Sequence, residues 1–223
     1  MEKSGERLTG LKPFFLTFIG PVNTILLITD SMVKGLPHIT RWEHALYPGG
    51  TFDTASEDIA KATLRIGGRR VILAHMGTNL IDIRGWKGRL SCEQRLMELM
   101  AQVKRFYSLI RSFNATCFII FSSVLPRPVD FDHSDQLRIN FNKALKAFAR
   151  RKACGFLPTY TSFLIRSAGP AQGRPLPGVW ARRDGGLHLN MGGRFLLNER
   201  LKSALAPKEL GRMARNANFS HWR

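Results

Sequence analysis

Short, unbroken apolar runs alternate along this chain with longer segments whose apolar residues recur every three or four positions. Ile25-Leu26-Leu27-Ile28, inside the stretch Thr24 to Ser31, is the first run. Val71-Ile72-Leu73-Ala74 is the second, and Thr116 to Val124 the third, ended by Pro126 and Pro128. Runs apolar on both faces and rich in β-branched residues suit parallel strands covered by helices. Gly155 to Tyr160 reads as a further short strand or strand-like turn. Between these lie segments of helical period: Thr54 to Leu64, stopped by Gly67-Gly68; Ser91 to Phe113, with Leu96, Leu99, Met100, Val103, Phe106, Tyr107 and Ile110 on one face; Asp135 to Lys152, with Leu137, Phe141, Leu145 and Phe148; and Asn190 to Leu205. Pro37 to Gly50 is turn-rich and holds a presumed strand. Ser167 to Gly178 reads as a loop.

Strands alternating with helices throughout are the pattern of a parallel sheet with helices on both faces. Residues 1–20 read as an N-terminal extension, frayed over its first dozen residues. Residues 21–205 form one α/β domain, and 206–223 a tail without periodicity. No internal repeat or low-complexity tract is visible. The uncharged stretch between Lys12 and Asp30 superficially resembles a leader or an anchor. Pro13, Pro21 and Asn23 interrupt it and no small-residue cleavage pattern follows. The expectation is therefore no signal peptide and no membrane span.

Composition adds a core and an oddity. Of the 223 residues, 44% are hydrophobic and 15 are Phe, enough to fill a core and to exclude a disordered tail, a collagen-like fibre or a coiled-coil rod. The formal net charge is +18. It is spread unevenly, with 16 basic against 10 acidic residues up to Ser112 and 18 against 6 beyond it. Such an excess favours anionic partners, nucleic acid among them, and says nothing of the fold. The tail contributes Lys208, Arg212, Arg215 and Arg223 against Glu209, which makes it a candidate basic arm. Three cysteines (Cys92, Cys117, Cys154) without a CxxC pair speak against a disulfide framework and against structural zinc. They point to an intracellular, reducing compartment, cytoplasmic or nuclear.

In an open α/β sheet, ligands bind beyond the carboxyl ends of the strands. Thr29-Asp30-Ser31 follows the first run, Gly49-Gly50-Thr51 the presumed second strand, and Gly77-Thr78-Asn79 the next. Asp184-Gly185-Gly186-Leu187-His188-Leu189-Asn190 precedes the last helix. A serine, a glycine, an asparagine and an Asp/His pair at one sheet edge are the parts for acyl transfer. A serine hydroxyl needs a base within hydrogen-bond reach, and His188 titrates near neutrality. An Asp on the same loop fixes the imidazole tautomer. A backbone N–H and a carboxamide serve the oxyanion of the tetrahedral intermediate.

These segments resemble the blocks of the SGNH/GDSL hydrolase superfamily, over roughly Thr24 to Leu205. The resemblance assigns the nucleophile to Ser31, and the oxyanion hole to Ser31, Gly50 and Asn79. It assigns base and orienter to His188 and Asp184. It implies a flavodoxin-like three-layer α/β/α sandwich with a five-stranded parallel sheet, a small acyl-ester substrate, hydrolysis of that ester, and no metal or cofactor. Two departures stand out. Thr29 replaces the usual Gly, and Asp184 and His188 are four apart where the family has three. Either the extra glycine is absorbed as a bulge, or Asp184 swings away and leaves a Ser31–His188 dyad. The alternative function is a retroelement-associated nucleic-acid-binding protein with weak or lost catalysis, since the chain also resembles esterase-like domains encoded by some LINE-type retrotransposons.

Other polar residues have structural explanations. Ser31 alone would read as a helix cap. His75 sits within a strand pattern and reads as a core histidine. His133, in the acidic run Asp130 to Asp135, reads as part of a helix N-terminus with a Ser cap. Gly67-Gly68 and Gly192-Gly193 match no nucleotide loop, and the Gly-x-Ser-x-Gly elbow is absent. Trp180, Arg182 and Arg183 either line a substrate mouth or form a solvated rim.

Overall fold

The computed structural model describes residues 14–15, 25–30, 42–81 and 91–221. A twisted sheet is built from β1 (Phe14–Phe15), β2 (Ile25–Asp30), β3 (Trp42–Tyr47), β4 (Val71–His75), β5 (Phe118–Ser122) and β6 (Gly155–Leu157), in the order β1-β3-β2-β4-β5-β6. β2 to β6 run parallel, and β1 adds two residues antiparallel to β3. The five parallel strands follow the doubly wound 2-1-3-4-5 order expected of a flavodoxin-like fold. The antiparallel edge strand falls inside the segment read as an N-terminal extension.

Among the described residues five helices cover the sheet: α1 (Phe52–Ala60), α2 (Cys92–Phe113), α3 (Phe131–Arg151), α4 (Met191–Leu205) and α5 (Pro207–Asn216). Strand side chains alternate between faces, and the core divides accordingly. Leu26, Ile28, Ile72, Ala74, Ile119 and Phe121 pack with Phe52, Val103, Phe106, Phe141 and Leu145 of α1–α3. Leu27, Val71, Leu73, Phe118 and Ile120 pack with Leu197, Leu201, Leu210 and Ala214 of α4 and α5. The result is the three-layer sandwich.

Three elements differ from the sequence reading. The stretch read as an aperiodic basic tail contains α5, docked on the second core. Its apolar residues Leu210, Met213, Ala214 and Ala217 do keep helical spacing, but Lys and Arg between them thin the signal. The α1 helix begins at Phe52 and ends at Ala60, with a Thr51/Thr54 capping box fixing its start. The α3 helix begins at Phe131, four residues before the expected Asp135. Asp130 precedes it, buried between two buried arginines, Arg127 and Arg138, and the Ser134 hydroxyl donates back to the Asp130 carbonyl instead of capping. Among the described residues, no helix is long and apolar enough to cross a membrane.

Candidate active site

Of the residues that the sequence singled out, the structure brings together two pairs, Gly50 with Asn79 and Asp184 with His188. Asp30 ends β2 and is fully buried, and its carboxylate accepts the Thr78 N–H at 3.0 Å. That bond ties the loop after β4 to the end of β2. Gly77 makes the turn into this loop at φ +115°. A Cβ there would meet Val124 at 3.0 Å and Phe141 at 3.2 Å, so both the dihedral and the space demand glycine. The next residues, Thr78–Leu80, form a 3-10 turn that presents Asn79. The Asn79 Nδ2 donates to the Gly50 carbonyl at 3.0 Å, so the structure brings Asn79 and Gly50 together. Gly50 itself closes a turn after β3, its N–H donating to the Tyr47 carbonyl at 2.9 Å.

In the loop before α4, Asp184 and His188 meet. The His188 Nδ1 and Asp184 Oδ2 lie 2.8 Å apart, with both side chains partly exposed. The other oxygen, Asp184 Oδ1, accepts backbone N–H groups of Gly186 at 3.2 Å and Leu187 at 3.0 Å. Partial burial pushes the Asp184 carboxyl up. The His188 hydrogen bond and the Leu187 and His188 backbone N–H groups outweigh it and hold the pKa below the ordinary carboxylate value.

The extra residue in this loop is absorbed by two left-handed glycines, Gly185 (φ +68°) and Gly186 (φ +88°). A Cβ on Gly186 would come within 2.8 Å of Pro128, so only glycine fits. The loop thus rests on the segment that follows β5. Its ends are held by backbone pairing of Ala181 with His188 and by the bridge between Trp180 and Leu189. Asn190 then caps α4, accepting the Gly193 N–H at 3.0 Å. Trp180 is buried here, and Arg182 and Arg183 form an exposed 3-10 turn with Asp184, so of these three only the arginines stand at the rim.

Ser31 lies outside the described residues. Its neighbours on β2 do not. Thr29, standing where the resembled family has glycine, hydrogen-bonds His44 across the strand boundary (Oγ1 to Nε2, 2.6 Å). Sequence reasoning overlooked a polar row under the carboxyl edge of the sheet. Thr29, His75 and Ser122 stand at the carboxyl ends of β2, β4 and β5, on the face that α4 and α5 cover. His75 Nδ1 and Ser122 Oγ are 2.9 Å apart, and Ser122 continues to Thr159 at 2.9 Å. Burial lowers the His75 pKa to about 4 and keeps the ring neutral. The signal in the sequence was a polar residue ending each apolar run. Among the described residues, no cluster of three or more His, Cys, Asp or Glu side chains offers a set of metal ligands.

Comparison with known proteins agrees with this architecture at the level of fold. The sequence matches no protein-family model and no curated relative. Solved structures do match. A protein from Streptococcus pneumonia named after platelet activating factor superposes with a TM-score of 0.64 at 20% identity, over 82% of this chain and 84% of that one. A member of the lipolytic G-D-S-L family from Veillonella parvula gives 0.60 at 19% identity, over 81% and 97%. A catalytic mutant of an acetylxylan esterase from Geobacillus stearothermophilus gives 0.58 at 14% identity, over 92% and 98%. The esterase domain of an ORF1 protein from a zebrafish retrotransposon matches at 0.41 and 18% identity, over 82% and 98%, a likeness too distant to carry an argument. The chain has an SGNH/GDSL hydrolase-like fold.

Proposed function

We propose that the protein is an SGNH-type serine esterase. The single observation that carries this reading is the Asp184–His188 pair. Its 2.8 Å bond leaves the Nε2 of His188 as the free ring nitrogen, the atom a serine nucleophile needs. In the proposed cycle His188 Nε2 takes the Ser31 hydroxyl proton as Oγ bonds to the acyl carbon. The tetrahedral intermediate collapses, the C–O bond to the alcohol breaks, and the imidazolium returns its proton to the leaving oxygen. Water then attacks the acyl-enzyme, His188 again taking the proton, and Ser31 is regenerated with release of the acid.

The oxyanion donors in this reading are the Ser31 N–H, the Asn79 carboxamide and the Gly50 N–H. Asn79 Nδ2 carries two hydrogens, and its bond to the Gly50 carbonyl uses one. The Gly50 N–H already serves the Tyr47 carbonyl and contributes only as a shared donor. Asn79 is therefore the principal side-chain donor, and the loss of such a donor raises the barrier by about 3 kcal/mol. The fold shared with lipolytic and acetylxylan-esterase structures supports the reaction class. Three free thiols support a reducing compartment.

The test is Ser31→Ala. The variant is expected to lose p-nitrophenyl acetate turnover and labelling by a fluorophosphonate while keeping its fold by circular dichroism. Turnover equal to that of the unmodified protein would remove Ser31 from the mechanism.

A further inference from the structure

A groove with a charged lining lies away from the candidate active site. It runs along β6, the open edge of the sheet, between α3 on one side and α4–α5 on the other, with a volume of about 750 Å³. Lys143, Lys146 and Arg150 form one stripe of α3 facing it, and Arg200 faces it from α4. All four are exposed. Among the described residues none of the four has an ion-pair partner, whereas Arg212, the remaining lining cation, is paired with the lining acid Glu209. Elsewhere on the surface the basic residues Lys61, Arg95, Arg105, Arg174 and Lys202 each have a carboxylate partner. Other exposed cations without an ion pair among the described residues, such as Arg65, Lys104, Arg151 and Arg183, lie elsewhere on the surface, and the groove is distinguished by bringing four of them onto one concave lining.

We infer that this groove binds a single strand of nucleic acid, at a place separate from the ester-cleaving site proposed above. Three features select this occupant. The stripe from Lys143 to Arg150 is about 10 Å long, which suits successive phosphates of one backbone. The lining also carries apolar surface, with half-buried Phe156 and Met213 and Ala147 among its residues. Base faces can lie against such a surface while phosphates meet the cations, which is the pattern of sequence-tolerant single-strand binding. A duplex keeps its bases stacked inside and would leave the apolar surface uncovered. A bilayer surface is flat and does not reach cations that line a concavity.

The test uses fluorescein-labelled 12-residue oligo(dT) and oligo(U), read by anisotropy across a salt series. The variants are Lys146→Glu/Arg150→Glu in the groove and Lys61→Glu/Arg65→Glu after α1, which change the net charge equally. The groove variant is expected to bind at least about tenfold more weakly at ~0.1 M salt. Its salt slope should be shallower by about 1.4, at roughly 0.7 per lost phosphate contact. The control variant should lie close to the unmodified protein in both. Ester hydrolysis is the separate readout for the proposed active site, and the groove variant should leave it unchanged. The inference is overturned if both variants weaken binding alike, since net charge alone then explains it. It is overturned equally if neither oligomer binds, or if poly-glutamate or a duplex of equal length binds as tightly as the single strands, or if anionic vesicles displace them.

Discussion

The two faces of the sheet are built from the same kind of strand and serve different ends. The face under α1–α3 is largely aromatic. Phe52, Phe106 and Phe121 pack with centroid distances of 5.3 to 6.5 Å, and Phe121 reaches Phe148 at 6.0 Å. The face under α4 and α5 starts as leucine and isoleucine, and ends at its carboxyl edge in Thr29, His75 and Ser122. The Ala181–Asn190 loop with its Asp/His pair belongs to this second side, since Trp180 and Leu189 pack into its core. Both faces end in polar groups at the carboxyl edge, Asp30 tied to Thr78 beside Asn79 on the first, but the second gives up more of its apolar content to carry them. A substitution should therefore damage stability or chemistry according to the face it strikes.

The sharpest separation comes from Asp184→Asn. The asparagine oxygen can still accept the Gly186 and Leu187 N–H groups that shape the loop, but it no longer orients a protonated Nδ1. On the proposed mechanism kcat falls by up to about 10⁴-fold, the cost of a wrong tautomer in a triad. The thermal midpoint should hardly move. Steady-state kinetics beside a melting curve check both halves, and a large loss of stability with a small loss of rate would blur the division between faces.

Phe106→Ala is the converse. Phe106 is fully buried among aromatic rings, and its truncation is expected to cost about 3–5 kcal/mol by urea unfolding. Surviving folded protein should keep the pH dependence of hydrolysis, because the Asp184–His188 pair does not touch that core.

Acid should weaken the polar face before it weakens the aromatic one. The folded-state pKa of His75 is depressed to about 4 from an ordinary 6.5 by burial. The unfolded chain therefore binds more protons between those values, so stability is fully present above pH 6.5 and is lost as pH falls toward 4. Melting curves over this window should show a steeper decline for the unmodified protein than for His75→Gln, which cannot take up a proton. Equal slopes would mean that another group carries the acid sensitivity.

Much of this was legible in the chain. Three of the five parallel strands were unbroken apolar runs, and α2 and α3 showed their stripes, because burial on a flat or helical surface imposes period on the sequence. The strand Trp42–Tyr47 was harder to see. It mixes Glu43, whose partner Arg69 lies 26 residues on, with His44, held by Thr29, so its polar residues are satisfied only by contacts distant in sequence. The Asp30 carboxylate bond to Thr78 was invisible for the same reason, whereas the Arg127–Asp130–Arg138 cluster is local in sequence and was hidden because its charges read as an exposed helix start while the fold buries them. The four-residue spacing of Asp184 and His188 left two outcomes open. Gly185 and Gly186 decide between them through positive φ values that spacing alone does not encode, and the carboxylate meets the imidazole.

The short antiparallel pairing of Phe14–Phe15 with β3 has a bearing on solubility. It occupies the flank of a sheet whose inner strands, such as Phe118–Ser122, would be potent templates for fibril growth if laid bare. The opposite flank, β6, is only three residues long and sits between helices bearing lysine and arginine. A brief border beside repelling charge gives an incoming strand little to zip onto, so the native sheet is protected against end-on polymerisation at both margins.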